Sequence, residues 1–479
     1  MHKLIFLTSL MTPLVNKSEQ SHIPYAQSPV QMNNFNQTFT VDMVKNLLKR
    51  YPELNWLADK NVQATQENSP NKHPEAYSVQ IFGEFYSEFE RSFLSINCLH
   101  WILDGSIESH AKFIKGQTAP QLSFESFQKL HQMAQNCVTN YAGLSKEEMI
   151  QILETGLVLG DMGKSKIARD MLSKYGITAP DHDDFYGEAI LNEQANQALP
   201  SFQKLPLKGQ KLLQESAHLA HYGHITHAEG GPNMFSNLKQ SNIIGKAPLA
   251  FDVNMLIHIC DVAGALGHVN NHSSLVLNQN SFDAMEAVIK ACKTLVGSDE
   301  KAAYLSYLNT RAQKLNLDVS TPQGQVLARI AAMCRLFTIS EGKALEQGFV
   351  ALDPAERATI IHEFSIGGAN QLPRTPTYMP AVLVNLINNQ ELGKDRLERI
   401  KLSLKYGLPS IAKILQNYKD MLQKGELHSN VPLNFNQIAG AVRNDPRALL
   451  NREFSIDKTT GEVLVKNKNQ CNCSASQDS

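Results

Sequence analysis

The chain has 479 residues, 42% hydrophobic and 19% charged, which is enough apolar content for a large buried core and argues against disorder except at the ends. Lys and Arg number 45 against 46 Asp and Glu, so a formal charge of -1 supplies no global field to gather a nucleic-acid polymer or an anionic membrane surface. Seven cysteines, odd in number and without a repeated pair spacing, argue against a disulfide framework and point to a reducing compartment.

The first element is MHKLIFLTSLMTPL, where Lys3 precedes an apolar run from Leu4 to Leu14. Thr8, Ser9 and Thr12 interrupt the run and no small-x-small cleavage site follows, so a cytoplasmic protein is expected in preference to a secreted one. No stretch reaches the roughly 18 apolar residues of a membrane span. Residues 15–40 and the segment NVQATQENSPNKHPEAY are polar, and residues 1–75 are expected to form a flexible arm carrying one short helix over 41–57.

From Tyr77 onward apolar residues recur with helical period between Gly, Pro and Asn breaks. The pattern predicts helices over 83–103, 106–115, 123–141, 145–159, 164–174, 186–195, 207–222, 248–266, 281–294, 299–314, 321–337, 341–348, 353–363, 376–389, 392–405, 408–423 and 435–442. Ser145 with Glu148 reads as a capping box, and Asp353 before Pro354 as a cap followed by a first-turn proline. Strand alternation is nearly absent; GEVLVK offers one short strand or none. The fold class is all-α, with an arm over 1–75, a helical domain over 76–280, a C-terminal helical region over 281–450 and a disordered tail over 451–479.

Four strings concentrate the chemistry. GLVLGDMGKSK ends an apolar helix on Gly160, Asp161, Met162, Gly163 and Lys164, a place where an acid can face a cavity and a lysine can reach a phosphate; the plain alternative is a surface turn capped by Asp161. PDHDDFYGE offers His182 among Asp181, Asp183 and Asp184, an oxygen and nitrogen set suited to Mn, Fe or Mg, or simply a helix cap. HLAHYGHITHAEGGPN repeats histidine at 218, 221, 224 and 227 ahead of Glu229; on a helix this stripe drifts by about 60° per step, so at most two or three can converge. LIHICDVAGALGHVNNHSS sets Asp261 among apolar residues, where a carboxylate requires a cation, a proton or donors, and follows it with small residues and His268.

Together these strings resemble the HD superfamily of metal-dependent phosphohydrolases and phosphodiesterases, all-helical enzymes that hold a divalent ion with a first histidine, a His-Asp pair and a later aspartate. LVLGDMGK matches the second motif at Asp161, Gly163 and Lys164, with Gly160 where the family has its histidine. The resemblance covers roughly 120–275, places the first histidine at His131 and the last aspartate at Asp261, and offers His182, His221, His224 and His227 as additional ligands; with Gly160 in place of the motif histidine, either His182 substitutes for it or the domain keeps the fold and has lost the metal. It implies a divergent HD-like bundle with extra C-terminal helices that binds a divalent metal ion (Mn, Fe, Mg or Zn) at His131, Asp161, His182 and Asp261.

On that reading the protein hydrolyses a phosphoric ester, a nucleotide, phosphodiester or phosphate-bearing modification. Lys164 offsets charge, His224 and His227 orient the nucleophile or protonate the leaving group, and His221, Glu229 and His268 contact substrate. Arg374, in LPRTPTYMP, either closes over the phosphate or lies in a surface loop. The rivals are a non-catalytic helical binding or effector protein that takes a protein partner, and a metal-independent transferase or lyase built on the histidines. The neutral, Asn- and Gln-rich composition also resembles intracellular bacterial proteins exported into host cells without a cleaved signal peptide.

Overall fold

A computed structural model of the chain describes residues 35–60, 75–139, 143–179, 181–218 and 222–466. The opening apolar run, the segment 61–74, His221, and Cys471 and Cys473 in the tail lie outside these residues.

The amphipathic helix α1, Val41–Arg50, starts on a Thr40 side chain that accepts from the Met43 amide. Its apolar face and the turn after it bury Phe39, Val44, Leu47, Tyr51, Leu54 and Leu57. Polar groups tie the same segment down: the Tyr51 hydroxyl donates to the buried Glu154, and Glu53 accepts from the Ser201 amide at 2.7 Å. The flexible arm expected over 1–75 is therefore incorrect for residues 35–60, because the polarity of the flanking segments masked six core side chains.

Helices α2 (Ser87–Asp104), α3 (Phe124–Thr139), α4 (Lys146–Gly160) and α6 (Leu207–Ala217) surround α7 (Pro248–Gly264), while α5 (His182–Leu191) packs on α4 and α6. The capping box of Ser145 and Glu148 opens α4 as its sequence predicts. Central α7 buries Phe251, Val253, Met255, Leu256 and Ile259, each worth about 1.5–3 kcal/mol of transfer free energy. Glycines let it approach its neighbours: a Cβ at Gly264 would stand 2.6 Å from the Ser95 amide nitrogen of α2, and one at Gly156 of α4 would stand 2.4 Å from Ile257. The single helix expected over 207–222 is instead α6 and a separate short helix, Tyr222–Thr226.

The chain continues through α8 (Gln279–Thr294), α9 (Glu300–Leu315) and α10 (Pro322–Met333). Then α11 (Ile339–Val350), α12 (Pro354–Phe364) and α13 (Met379–Asn388) pack on the long α14 (Arg396–Gln423), and α15 (Asn436–Asn444) covers α13. The two helices expected over 392–405 and 408–423 are one, since Pro409 is accommodated inside α14. Proline removes the bond to the carbonyl of Lys405, an exposed residue whose carbonyl can turn to water.

After α15, strand β1 (Glu453–Ile456) pairs antiparallel with β2 (Val463–Lys466) in the register Glu453 to Lys466, and Val463 and Ile456 are buried. The disordered tail expected from 451 is thus wrong for 451–466, where GEVLVK finds its partner in EFSI. From Asn36 onward the chain clusters as one unit, so the boundary expected near 280 is absent. Among the described residues no helix is long and apolar enough to cross a membrane.

Candidate functional site

The apolar helix α4 ends at Gly160 and delivers Asp161 as its C-terminal cap, followed by a tight turn over Met162–Lys164. That turn fits because residue 163 is glycine: a Cβ there would stand 2.8 Å from both the Cα and the carbonyl oxygen of His182. Asp181 caps α5 by accepting from the amides of Asp183 and Asp184, as its capping alternative predicts, and this leaves His182 on the side facing Asp161. His182 Nε2 lies 3.9 Å from Asp161 Oδ1 and 3.7 Å from Asp183 Oδ1. Asp181, His182 and Asp183 can bring one ligand atom each within 4.8 Å of one another.

The opposite wall comes from the first turn of α2 and from α7. Lys164 Nζ bridges Asp161 Oδ1 at 2.7 Å and Glu88 Oε2 at 2.9 Å, while Arg91 Nη1 donates to Glu88 Oε1 at 2.7 Å and its Nε is buried without an acceptor. Burial opposes the charge on Asp161, but Lys164, Arg91 and His182 more than offset it and hold the carboxyl below its ordinary value. Asp261 has the reverse balance: burial first, then the Asp161 charge, push it up to about 7 against the pull of Lys164 and Arg91. Burial would lower the Lys164 ammonium, yet Asp161, Glu88 and Asp261 together raise it.

Asp161, Lys164 and His182 therefore meet at this turn, and Asp261 of α7 lies close enough for its charge to act on Asp161 and Lys164. Sequence reasoning missed Glu88 and Arg91. Glu88 and Arg91 are spaced i, i+3 at the start of α2, where acids read as ordinary helix-dipole partners.

His131 belongs elsewhere. Its Nδ1 donates to the carbonyl of Ile102 at 2.8 Å, capping the far end of α2. About 20 Å of helix separates Ile102 from Glu88, so His131 cannot share an ion with Asp161. His268 lies beyond the end of α7, in a recess of about 200 Å³ with Phe85, Glu90 and Asn271. Arg374 is exposed and acts on Tyr418 of α14, which corrects the expectation that it closes over the acidic cluster and supports the surface-loop alternative.

The remaining candidates form a second cluster on α9 and α10. His224 Nδ1 is bonded to Glu229, and His227 Nε2 lies 3.5 Å from Arg335 Nη2. The buried Arg329 donates to the carbonyls of Ala228 at 2.9 Å, Glu229 at 2.6 Å and Phe364 at 3.0 Å. Arg311 donates to the Tyr307 hydroxyl, Leu336 and Thr226. The histidine stripe is thus divided between elements, and His224, His227 and Glu229 have their own partners.

Comparison with curated proteins gives no match, and comparison with solved structures gives none. A family model matches residues 44–441, a span that takes in both clusters and the α1 segment. The chain belongs to that family, the family of unknown function DUF6829.

Proposed function

We propose that the cluster at Asp161 and Asp261 holds a divalent metal ion and that the protein is a divergent HD-like hydrolase of phosphoric esters. One observation carries the reading: two carboxylates from different helices, with His182 3.9 Å from the first, are so buried and so near in charge that Asp161 holds its ionised form while burial and the Asp161 charge push Asp261 up to about 7. A divalent ion is the counter-charge such a pair accepts most readily, and carboxylate oxygen with imidazole nitrogen suits Mn, Fe, Mg or Zn. His182 would take the place of the histidine that Gly160 lacks.

A bound ion supplies Lewis acidity toward a phosphoryl oxygen and acidifies water. The chain's own residues do the rest. Asp161 and Asp261 would hold the ion, and Lys164 and Arg91, both on Glu88, would present donors to an anionic substrate. The helices α2 and α7 wall the cluster with apolar side chains, which limits water and strengthens each of these charge interactions. The substrate class is a nucleotide, phosphodiester or phosphate-bearing modification. The setting is a reducing one, cytoplasmic or that of a host cell, because Cys98, Cys137, Cys260, Cys292 and Cys334 are free and buried.

The test is a panel of nucleotides, cyclic nucleotides and phosphodiesters with added Mn²⁺. The wild type releases product, and Asp261→Ala, still folded, loses several orders of magnitude in rate. An inert wild type beside a destabilised Asp261→Ala favours the second reading, a helical binding or effector protein. In that case Asp161, Lys164, Glu88 and Arg91 are a self-contained ion-pair network.

A further inference from the structure

Helices α3 and α8 are tied together where they start and leave a gap further along. Gln279, the first residue of α8, accepts from the Ser123 amide at 3.0 Å and donates to the Ser126 hydroxyl at 3.0 Å. Beyond this tie lies a cavity of about 330 Å³. Phe282, Met285 and Ile289, at helical spacing on one face of α8, form one wall, Leu130 and Met133 of α3 form the other, and α7 contributes Ile259. Leu130, Ile259, Phe282 and Met285 are themselves buried, so the slot reaches into the core.

Its rim is polar and closed on itself. Lys129 Nζ lies 3.3 Å from Glu286 Oε1, and Lys293 Nζ lies 3.5 Å from Asp252 Oδ1. Gln132 donates to the side-chain oxygen of Asn136 at 2.9 Å. Lys129 also stands 6.0 Å from the centre of the Phe282 ring. Two cations thus meet two anions, and the two amides meet each other. The rim has no surplus charge to neutralise an ionic head group. Glu286 and Lys293 are seven residues apart on α8, which sets the two ion pairs about 10 Å apart along the slot.

A protein interior leaves few gaps of this size, because the atoms lining a gap lose their dispersion partners. Water offsets little of that loss here, since leucine, isoleucine, methionine and phenylalanine offer it no hydrogen bonds. A hydrocarbon restores the contacts. Met133 and Met285 are unbranched and polarizable, side chains that adjust to the outline of an occupant. An apolar cavity of roughly 150 Å³ takes one benzene, so this slot has room for about twice that bulk. We propose that it binds an uncharged, hydrocarbon-like small molecule lying along Phe282, Met285 and Ile289 between the two ion pairs. Both pairs are exposed and hold weakly, so either can open to admit it. The site is independent of the metal reading of the acidic cluster.

The experiment titrates the full chain with 1-octanol and, separately, with octanoate as its charged counterpart, and follows the methionine methyl resonances by NMR. Met133→Leu and Met285→Leu assign the two signals. With octanol the Met133 and Met285 signals shift together and saturably, and octanoate binds at least tenfold more weakly. Met133→Trp and Ile289→Trp, each still folded, fill the slot and weaken octanol binding, read at Met285, at least tenfold. A wild type whose Met133 and Met285 signals do not respond to octanol overturns the proposal. So does a response that survives undiminished in both tryptophan variants, or octanoate binding as tight as that of octanol.

Discussion

Replacing Asp261 by Asn removes an acid that the fold holds in the wrong protonation state. A carboxyl that titrates at about 7 in the folded chain and at 3.8 in an unfolded one withholds stability above neutrality. The full difference is on the order of 4 kcal/mol, and about 2–4 kcal/mol once partial solvent access is allowed for. Below about pH 4 both states keep the proton, and Asp261 costs nothing. As pH rises from there through 7 the unfolded chain releases its proton first, so this contribution to stability is lost across that window. Asp161, whose pKa is lowered, acts oppositely: its contribution is present above the unfolded value and is lost only in acid, below about pH 4. Urea unfolding of wild type and Asp261→Asn in chelator isolates the effect. The variant is the more stable, and its advantage widens by about 1–2.5 kcal/mol from pH 5 to pH 8. A gap that does not change with pH, or a variant less stable than wild type at pH 8, refutes the reasoning.

Gly163→Ala drives a methyl group to 2.8 Å from the backbone of His182, so it lowers the thermal midpoint, with a cost of about 1–3 kcal/mol by urea titration, and displaces His182. Gly160→Ala does the opposite: an added Cβ meets nothing within 4 Å at the last residue of α4, and the change gains up to about 1 kcal/mol in the same titration. Lys419→Met leaves the buried Glu363, which now pairs with Lys419 at 2.7 Å, with only the His362 imidazole at 2.9 Å, and costs at most about 3–5 kcal/mol; adding Glu363→Gln recovers most of it.

Helical periodicity and caps were sufficient to expect the all-α class, and Ser145 with Glu148 caps its helix as the sequence predicts. Local patterns misled where a long-range partner decides the outcome. Residues 35–60 look like a polar arm until Tyr51 and Glu53 meet Glu154 and Ser201, more than a hundred residues away. Pro409 reads as a break, but the packing of α11, α12 and α13 on α14 holds the helix through it. At the acidic cluster Asp161, Lys164, His182 and Asp261 were legible because each stands at a helix end or among apolar residues. Glu88 and Arg91 were not, because their role appears only when α2 is laid beside the turn after α4 that carries Lys164. His131 was misplaced by a spacing argument that a single carbonyl of Ile102 overrides.

Calorimetric titration of chelator-treated protein with Mn²⁺ decides whether Asp161 and Asp261 share a divalent ion. Wild type is expected to show one saturable site per chain, weakened at least a hundredfold in Asp161→Asn and in Asp261→Asn, with His182→Ala intermediate. Saturable binding that is unchanged in both aspartate variants, or no binding by a wild type that is folded, would contradict a shared ion.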